Sequence, residues 1–202
     1  MATYLEIAAE KQRGLNWVGV NIESHAGIDK VDLTNLPTQY SDNQFDGIYS
    51  EHFIEHLYKY QGINFFHEAF RILKSGGVIR TVWPPYEFVQ RLVSSVELTK
   101  SEKDFVEYYH QKYIVQEKFA PSGNSHRPKR EQCALGLLYQ KGQHLHLWGV
   151  SEMIDTLENI GFKDVKRKQY MQSTIPDFNN IDTPGVIRAL HLSLIHISEP
   201  TR

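Results

Sequence analysis

The chain has 202 residues, 41% hydrophobic and 23% charged, enough for one domain with its own core and too apolar for a disordered chain. Lys+Arg number 22 and Asp+Glu 24, and the resulting net charge of −2 argues against a dedicated nucleic-acid binder, which carries a strongly basic face. A single cysteine, Cys133, excludes a disulfide framework or a Cys-rich zinc module. No apolar run reaches the ~18 residues of a membrane span, and the N-terminus lacks a signal-peptide layout, so a cytoplasmic protein without membrane attachment is expected.

Short apolar runs between turn signals predict strands at Tyr4–Ile7, Trp17–Ile22, Ile28–Leu33, Phe45–Tyr49 and Val78–Trp83. Between them, His52–Tyr60 and Ile63–Leu73 carry apolar residues at helical spacing, with Ser75-Gly76-Gly77 read as the stop of the second helix and Gly76-Gly77 as its C-cap. This alternation argues for a parallel sheet covered by helices. Residues 86–140 show no strand. Tyr86–Leu98 and Glu102–Glu117 read as amphipathic helices and Ala120–Arg130 as a polar loop, together an insert capping one end of the sheet. Ser151–Ile160 then predicts a helix with Ser151 as N-cap and Gly161 beyond its end, and Val165–Met171 and Leu190–Ile197 predict strands. SLIHISEPTR looks like a translated sequencing adaptor, so residues 193–202 are read as a non-native tail behind a single domain at 1–192.

Three fragments stand in a telling order. The first runs Leu36-Pro37, then Asp42-Asn43-Gln44-Phe45-Asp46-Gly47-Ile48-Tyr49-Ser50-Glu51-His52-Phe53-Ile54-Glu55-His56-Leu57. The second is Glu68-Ala69-Phe70-Arg71-Ile72-Leu73-Lys74-Ser75-Gly76-Gly77. The third is His146-Leu147-Trp148-Gly149 leading to Leu157-Glu158-Asn159-Ile160-Gly161-Phe162. Together they resemble a class I S-adenosylmethionine-dependent methyltransferase of the type-11 kind, over about residues 4–84 with a weaker echo at 143–171. The resemblance implies an α/β fold with a doubly wound, mostly parallel sheet of about seven strands, the last antiparallel. It also implies methyl transfer from S-adenosylmethionine to a small-molecule acceptor.

In an open parallel sheet, ligands bind outside the carboxyl ends of the strands, where the strand order reverses. Asn21 and Glu23, after the second strand, suit the ribose hydroxyls. Asp32 can accept the adenine amine while Leu33 packs the ring, and Ser50, Glu51 and His52 end the fourth strand beside the expected methyl donor. For the proton acceptor, His52 is the first choice, then Glu51, then His146. The family pattern also carries a glycine-rich turn after strand 1, placing Glu6, Ala8 and Glu10 at the cofactor. Here Ala8 and Glu10 replace both glycines. That departure motivates a second reading, a methyltransferase-like binding or scaffold protein without catalysis. The link from strand 1 to strand 2 is short, about nine residues against the ~10–12 of a helical crossover.

Other motifs have blander readings. His52-Phe53-Ile54-Glu55-His56 matches the inverted zinc-protease signature, which would make a zinc hydrolase of His52, Glu55 and His56 on one helix face. The same residues are better explained by the helix after strand 4, with one His near the cofactor and one structural, and no resident metal is expected. His144 and His146 alternate on an extended segment and suit polar contacts. His126–Arg130 is a basic cluster suited to a surface loop, and Phe105, Tyr108, Tyr109 and Tyr113 form a stripe suited to core packing.

Overall fold

The computed structural model describes residues 2–116, 118, 126–168, 171–173, 175–182 and 193–198. Apolar runs become strands because alternate side chains enter two separate cores. β1 (Tyr4–Ile7), β2 (Trp17–Asn21), β3 (Asp29–Lys30), β4 (Phe45–Glu51), β5 (Leu73–Trp83), β6 (Lys163–Lys168) and β7 (Ser193–Ser198) hydrogen-bond in the order β3-β2-β1-β4-β5-β7-β6. β1 to β5 pair in parallel, and β7 runs antiparallel to both β5 and β6. The sheet is thus mostly parallel, and the segment set apart as an adaptor-like tail supplies β7. Residues 190–192 of the expected last strand and 169–170 of the strand before it lie outside the described residues.

One face of the sheet carries Leu5, Ile7, Ile48 and Ile79. It shares a core with Phe65 and Phe66 of α1 (Lys59–Ile72) and Met153 and Leu157 of α5 (Val150–Ile160). The other face carries Tyr4, Tyr49 and Val82. It joins α2 (Tyr86–Val93), α3 (Lys100–Tyr109) and α4 (Lys129–Tyr139) through Phe88, Phe105 and Leu137. The block at 86–140 therefore shares a core with this face of the sheet. Phe105 and Tyr109 of the aromatic stripe are buried in it. The basic cluster is structural in part: Arg130 donates to the carbonyls of Leu92, at 2.7 Å, and of Arg91, while Lys129 pairs with Glu107 at 2.8 Å.

Several expected helix boundaries move. The segment after β4 is no α-helix. His52 has φ +50°, residues Ile54–His56 form a single 3₁₀ turn, and Leu57 is extended. Ile54 and Leu57 are both buried, and in a 3₁₀ turn residues three apart share a face, so the apolar spacing fits either helix type. The α-helix begins at Lys59, where the Gln61 side chain accepts from the Tyr58 N–H at 3.0 Å. It stops at Ile72, before Ser75-Gly76-Gly77, which lie within β5 at an irregularity in its pairing with β4. Further on, Gly149 takes the N-cap position expected of Ser151, its N–H bonded to Glu152 at 3.3 Å.

Candidate active site

Strand order reverses between β1 and β4, and the carboxyl ends of these strands meet there. Ile7 stands beside Val20 of β2 and Ser50 of β4. The chain then leaves β1 through Ala8 at φ +58° and leaves β4 through Glu51 and His52. Ala8 takes the left-handed conformation that a glycine would supply at that position. The turn is held from the next strand: Asn21 Nδ2 donates to the Ala9 carbonyl at 3.0 Å, and Asn21 Oδ1 accepts from the Glu23 N–H at 3.1 Å. No crossover helix separates β1 from β2.

The sequence-predicted residues fall into two groups. Glu10, Glu23 and Asp32 are exposed, while Glu51 and His52 are half-buried. Asp32 Oδ1 accepts from the Thr34 N–H and hydroxyl at 2.9 and 2.6 Å, and these bonds lower its pKa. Glu51 accepts from the Tyr49 hydroxyl at 2.8 Å. Burial, with the charges of Glu51 and Asp182, pushes the Tyr49 hydroxyl well above its ordinary pKa, so it stays a proton donor. The second group is committed to the protein itself. The Glu6 carboxylate pairs with Arg13 at 2.5 Å, Ser50 is fully buried and donates to Thr81 Oγ1 at 2.8 Å, and Leu33 packs in the core.

His52 is held by Glu55, for which sequence reasoning found no role beside the cofactor. Its Nδ1 lies 3.0 Å from Oε1 of Glu55, which is completely buried. A carboxylate accepts, so Nδ1 carries the proton and Nε2 keeps a lone pair. Burial pulls the His52 pKa down, but the Glu55 hydrogen bond and the Glu55 and Glu51 charges outweigh it, and the net shift is upward. Burial would raise Glu55, yet His52 and the neighbouring rings of His144 and His56 hold it low. With His52 in a left-handed conformation and only one 3₁₀ turn behind it, His52 and His56 do not share a helix face. The geometry that a helical zinc-protease signature needs is absent.

His146 lies beside Glu55, its N–H 3.3 Å from the Glu55 carbonyl. Its Nε2 contacts both Glu152 oxygens, at 3.1 and 3.3 Å, and its ring meets Trp148 edge-on at 4.8 Å. Glu152 also pairs with Lys59 at 2.6 Å, so the side chain of His146 is engaged at the start of α5. His144 instead approaches His56, ring against ring at 4.9 Å, and burial lowers its pKa. Sequence spacing carried no signal for that meeting, because the two residues belong to segments brought together only by the fold.

Residues 3–81 match the family model described as a methyltransferase domain. Over that stretch, which is under half of the chain, the sequence is similar to methyltransferase domains. A search of curated proteins finds no match. Among solved structures, a protein described as a possible exported protein from Bordetella parapertussis is 12% identical with a TM-score of 0.55, covering 98% of this chain and 62% of its own. A SAM-dependent methyltransferase from Archaeoglobus fulgidus is 15% identical with a TM-score of 0.54, covering 98% and 86%. One from Methanosarcina mazei is 14% identical with a TM-score of 0.52, covering 99% and 93%. At these identities the likeness is one of fold. The chain spans less than two thirds of the Bordetella protein. Among the described residues no helix is long and apolar enough to cross a membrane.

Proposed function

We propose that this chain is a methyltransferase that moves a methyl group from S-adenosylmethionine to a small-molecule acceptor. The observation that carries the reading is the meeting, at the reversal of strand order, of a left-handed turn at Ala8 with His52 backed by a buried carboxylate. The residues fit the cofactor. A left-handed turn at the end of β1 exposes backbone to a ligand without needing the family's glycine. Exposed Glu23 suits the ribose hydroxyls and Asp32 the adenine amine, while Asn21 positions Glu23 and Ala9 instead of touching the ligand. Glu10, being exposed, can turn toward the ammonium of the methionine part.

S-adenosylmethionine, when bound, supplies an electrophilic methyl group. His52 Nε2 takes the proton that the acceptor releases, and Glu55, as a positioning residue, fixes the ring and stabilises the imidazolium. The rest of the rate comes from alignment.

Calorimetry with S-adenosylhomocysteine tests the binding half. One-to-one micromolar binding is expected, weakened at least about tenfold by Glu23→Ala through loss of a charged hydrogen bond. Absence of binding would leave the scaffold reading, which Ala8 and Glu10 motivate. His52→Asn tests the chemistry, since Asn tolerates the left-handed backbone. S-adenosylhomocysteine affinity should persist while turnover across an acceptor panel falls by about 100-fold or more. Unchanged turnover removes His52 as the base.

A further inference from the structure

The turn after β4 and the segment before α5 meet at three side chains. A carboxylate oxygen of Glu55 and one ring nitrogen each of His56 and His144 lie within 4.8 Å of one another. Nδ1 of His56 lies 3.1 Å from the Gln143 carbonyl, and Nδ1 of His144 contacts the Leu137 carbonyl. A carbonyl only accepts, so both Nδ1 atoms carry protons and both Nε2 atoms keep lone pairs. Metal-bound imidazoles are commonly held in this way, with the second nitrogen donating to a backbone oxygen that fixes tautomer and ring orientation.

Glu55 supplies the independent observation. Its side chain is completely buried, Oε1 is taken by His52, and Oε2 has no hydrogen-bond partner among the described residues. A buried carboxylate oxygen left unpartnered is costly, and a cation at this place removes the cost. The backbones are already aligned, since the Glu55 carbonyl accepts from the N–H groups of Leu145 at 2.8 Å and His146 at 3.3 Å.

We propose that Glu55 Oε2 and the Nε2 atoms of His56 and His144 bind Zn²⁺ as a structural clamp between the turn after β4 and the segment before α5. Two neutral imidazoles and one carboxylate are a borderline N/O set suited to zinc, with a fourth position left to solvent. Ligand atoms on tetrahedral zinc stand about 3.3 Å apart, so small rotations of the three side chains close the site. The clamp also holds the carboxylate that orients His52. Its role is to fix that geometry, not to activate water.

The test uses the full chain without a His-tag, stripped with a chelator. Titration with Zn²⁺ against a chromophoric chelator should give one ion per chain with a submicromolar Kd. His144→Ala and His56→Gln should each weaken it at least about tenfold, and the zinc-induced rise in melting temperature should vanish in both. His67→Ala, at an exposed helix position, should change nothing. Substoichiometric zinc, or one-to-one binding that survives His144→Ala, overturns the proposal. Should that variant fail to fold, zinc-edge X-ray absorption on the unmutated chain decides: two imidazoles in the shell support the clamp, and none overturns it. None of these readouts depends on methyl transfer.

Discussion

Ala8 and His52 hold φ of +58° and +50° at the ends of adjacent strands, where a side chain normally disfavours the left-handed region. The backbone conformation is kept although the residue type departs from the family pattern. Ala8→Gly should therefore raise stability by about 0.5–1 kcal/mol, the relief of left-handed strain less the entropy that glycine loses on folding. Urea unfolding measures it, and a loss of stability would show that the turn is not strained. At position 47 the situation is reversed. A Cβ on Gly47 would stand 2.7 Å from the buried ring of Phe178, so Gly47→Ala should destabilise by about 1–3 kcal/mol as an overpacked site, which thermal melts would register.

Within the 86–140 block, α3 stands on a side-chain cap as well as on apolar spacing, whereas α2 and α4 have no side-chain cap. At the start of α3, Thr99 Oγ1 accepts from the Glu102 N–H at 3.3 Å, while Glu102 Oε2 accepts from the Thr99 N–H at 2.6 Å. Thr99→Ala should cost about 1 kcal/mol. Glu102 also binds Arg91 at 2.6 Å, linking α3 to α2, and that bond, against burial, holds its pKa near about 2 from an ordinary 4.5. A lowered carboxyl pKa means that the contact's stability is fully present above pH 4.5 and is lost as pH falls toward about 2. Glu102→Gln should consequently melt lower than the parent at pH 7 and draw level near pH 2. A gap that stays constant over this range would rule out the ionised contact as its cause.

Across the whole molecule, the segment that holds Met171, Gln172 and Asp182 is tied to the sheet by buried charge. Arg80 of β5 and Asp182 are both fully inaccessible and pair at 2.5 Å, with Arg80 Nη1 also donating to the Gln172 carbonyl at 2.6 Å and Asp182 accepting from the Met171 N–H at 2.7 Å. Asp182→Ala leaves a buried guanidinium without its counter-charge and should cost about 3–5 kcal/mol. Denaturant titration checks it, and a cost below about 1 kcal/mol would show that the pair is not closed in solution. Phe178 seats the same segment against Tyr4 and Trp17, with ring centroids 5.2 and 5.3 Å apart.

Much of this was legible in residue order. Tyr4–Ile7, Phe45–Tyr49 and the apolar spacing of Ile63–Leu73 dictate strand, strand and helix because each pattern has a single period that buries it. The fragments around Glu51-His52 and Arg71-Ile72-Leu73 carried the resemblance to methyltransferase domains. What followed β4 was not legible: Ile54 and Leu57 satisfy a 3₁₀ turn as well as an α-helix, and only the need to turn at His52 decided between them. Nor could sequence spacing show that Asn21 and Ser50 would spend their hydrogen bonds on Ala9, Glu23 and Thr81, since a side chain's partner is fixed by packing. Sequence alone thus determined the alternation of the first five strands with the helix before β5, and the residues gathered at the strand ends. Tertiary structure alone decided which of them face solvent, that Glu55 backs His52, and that His144 joins Glu55 and His56, because those contacts depend on distances between segments that local pattern does not encode.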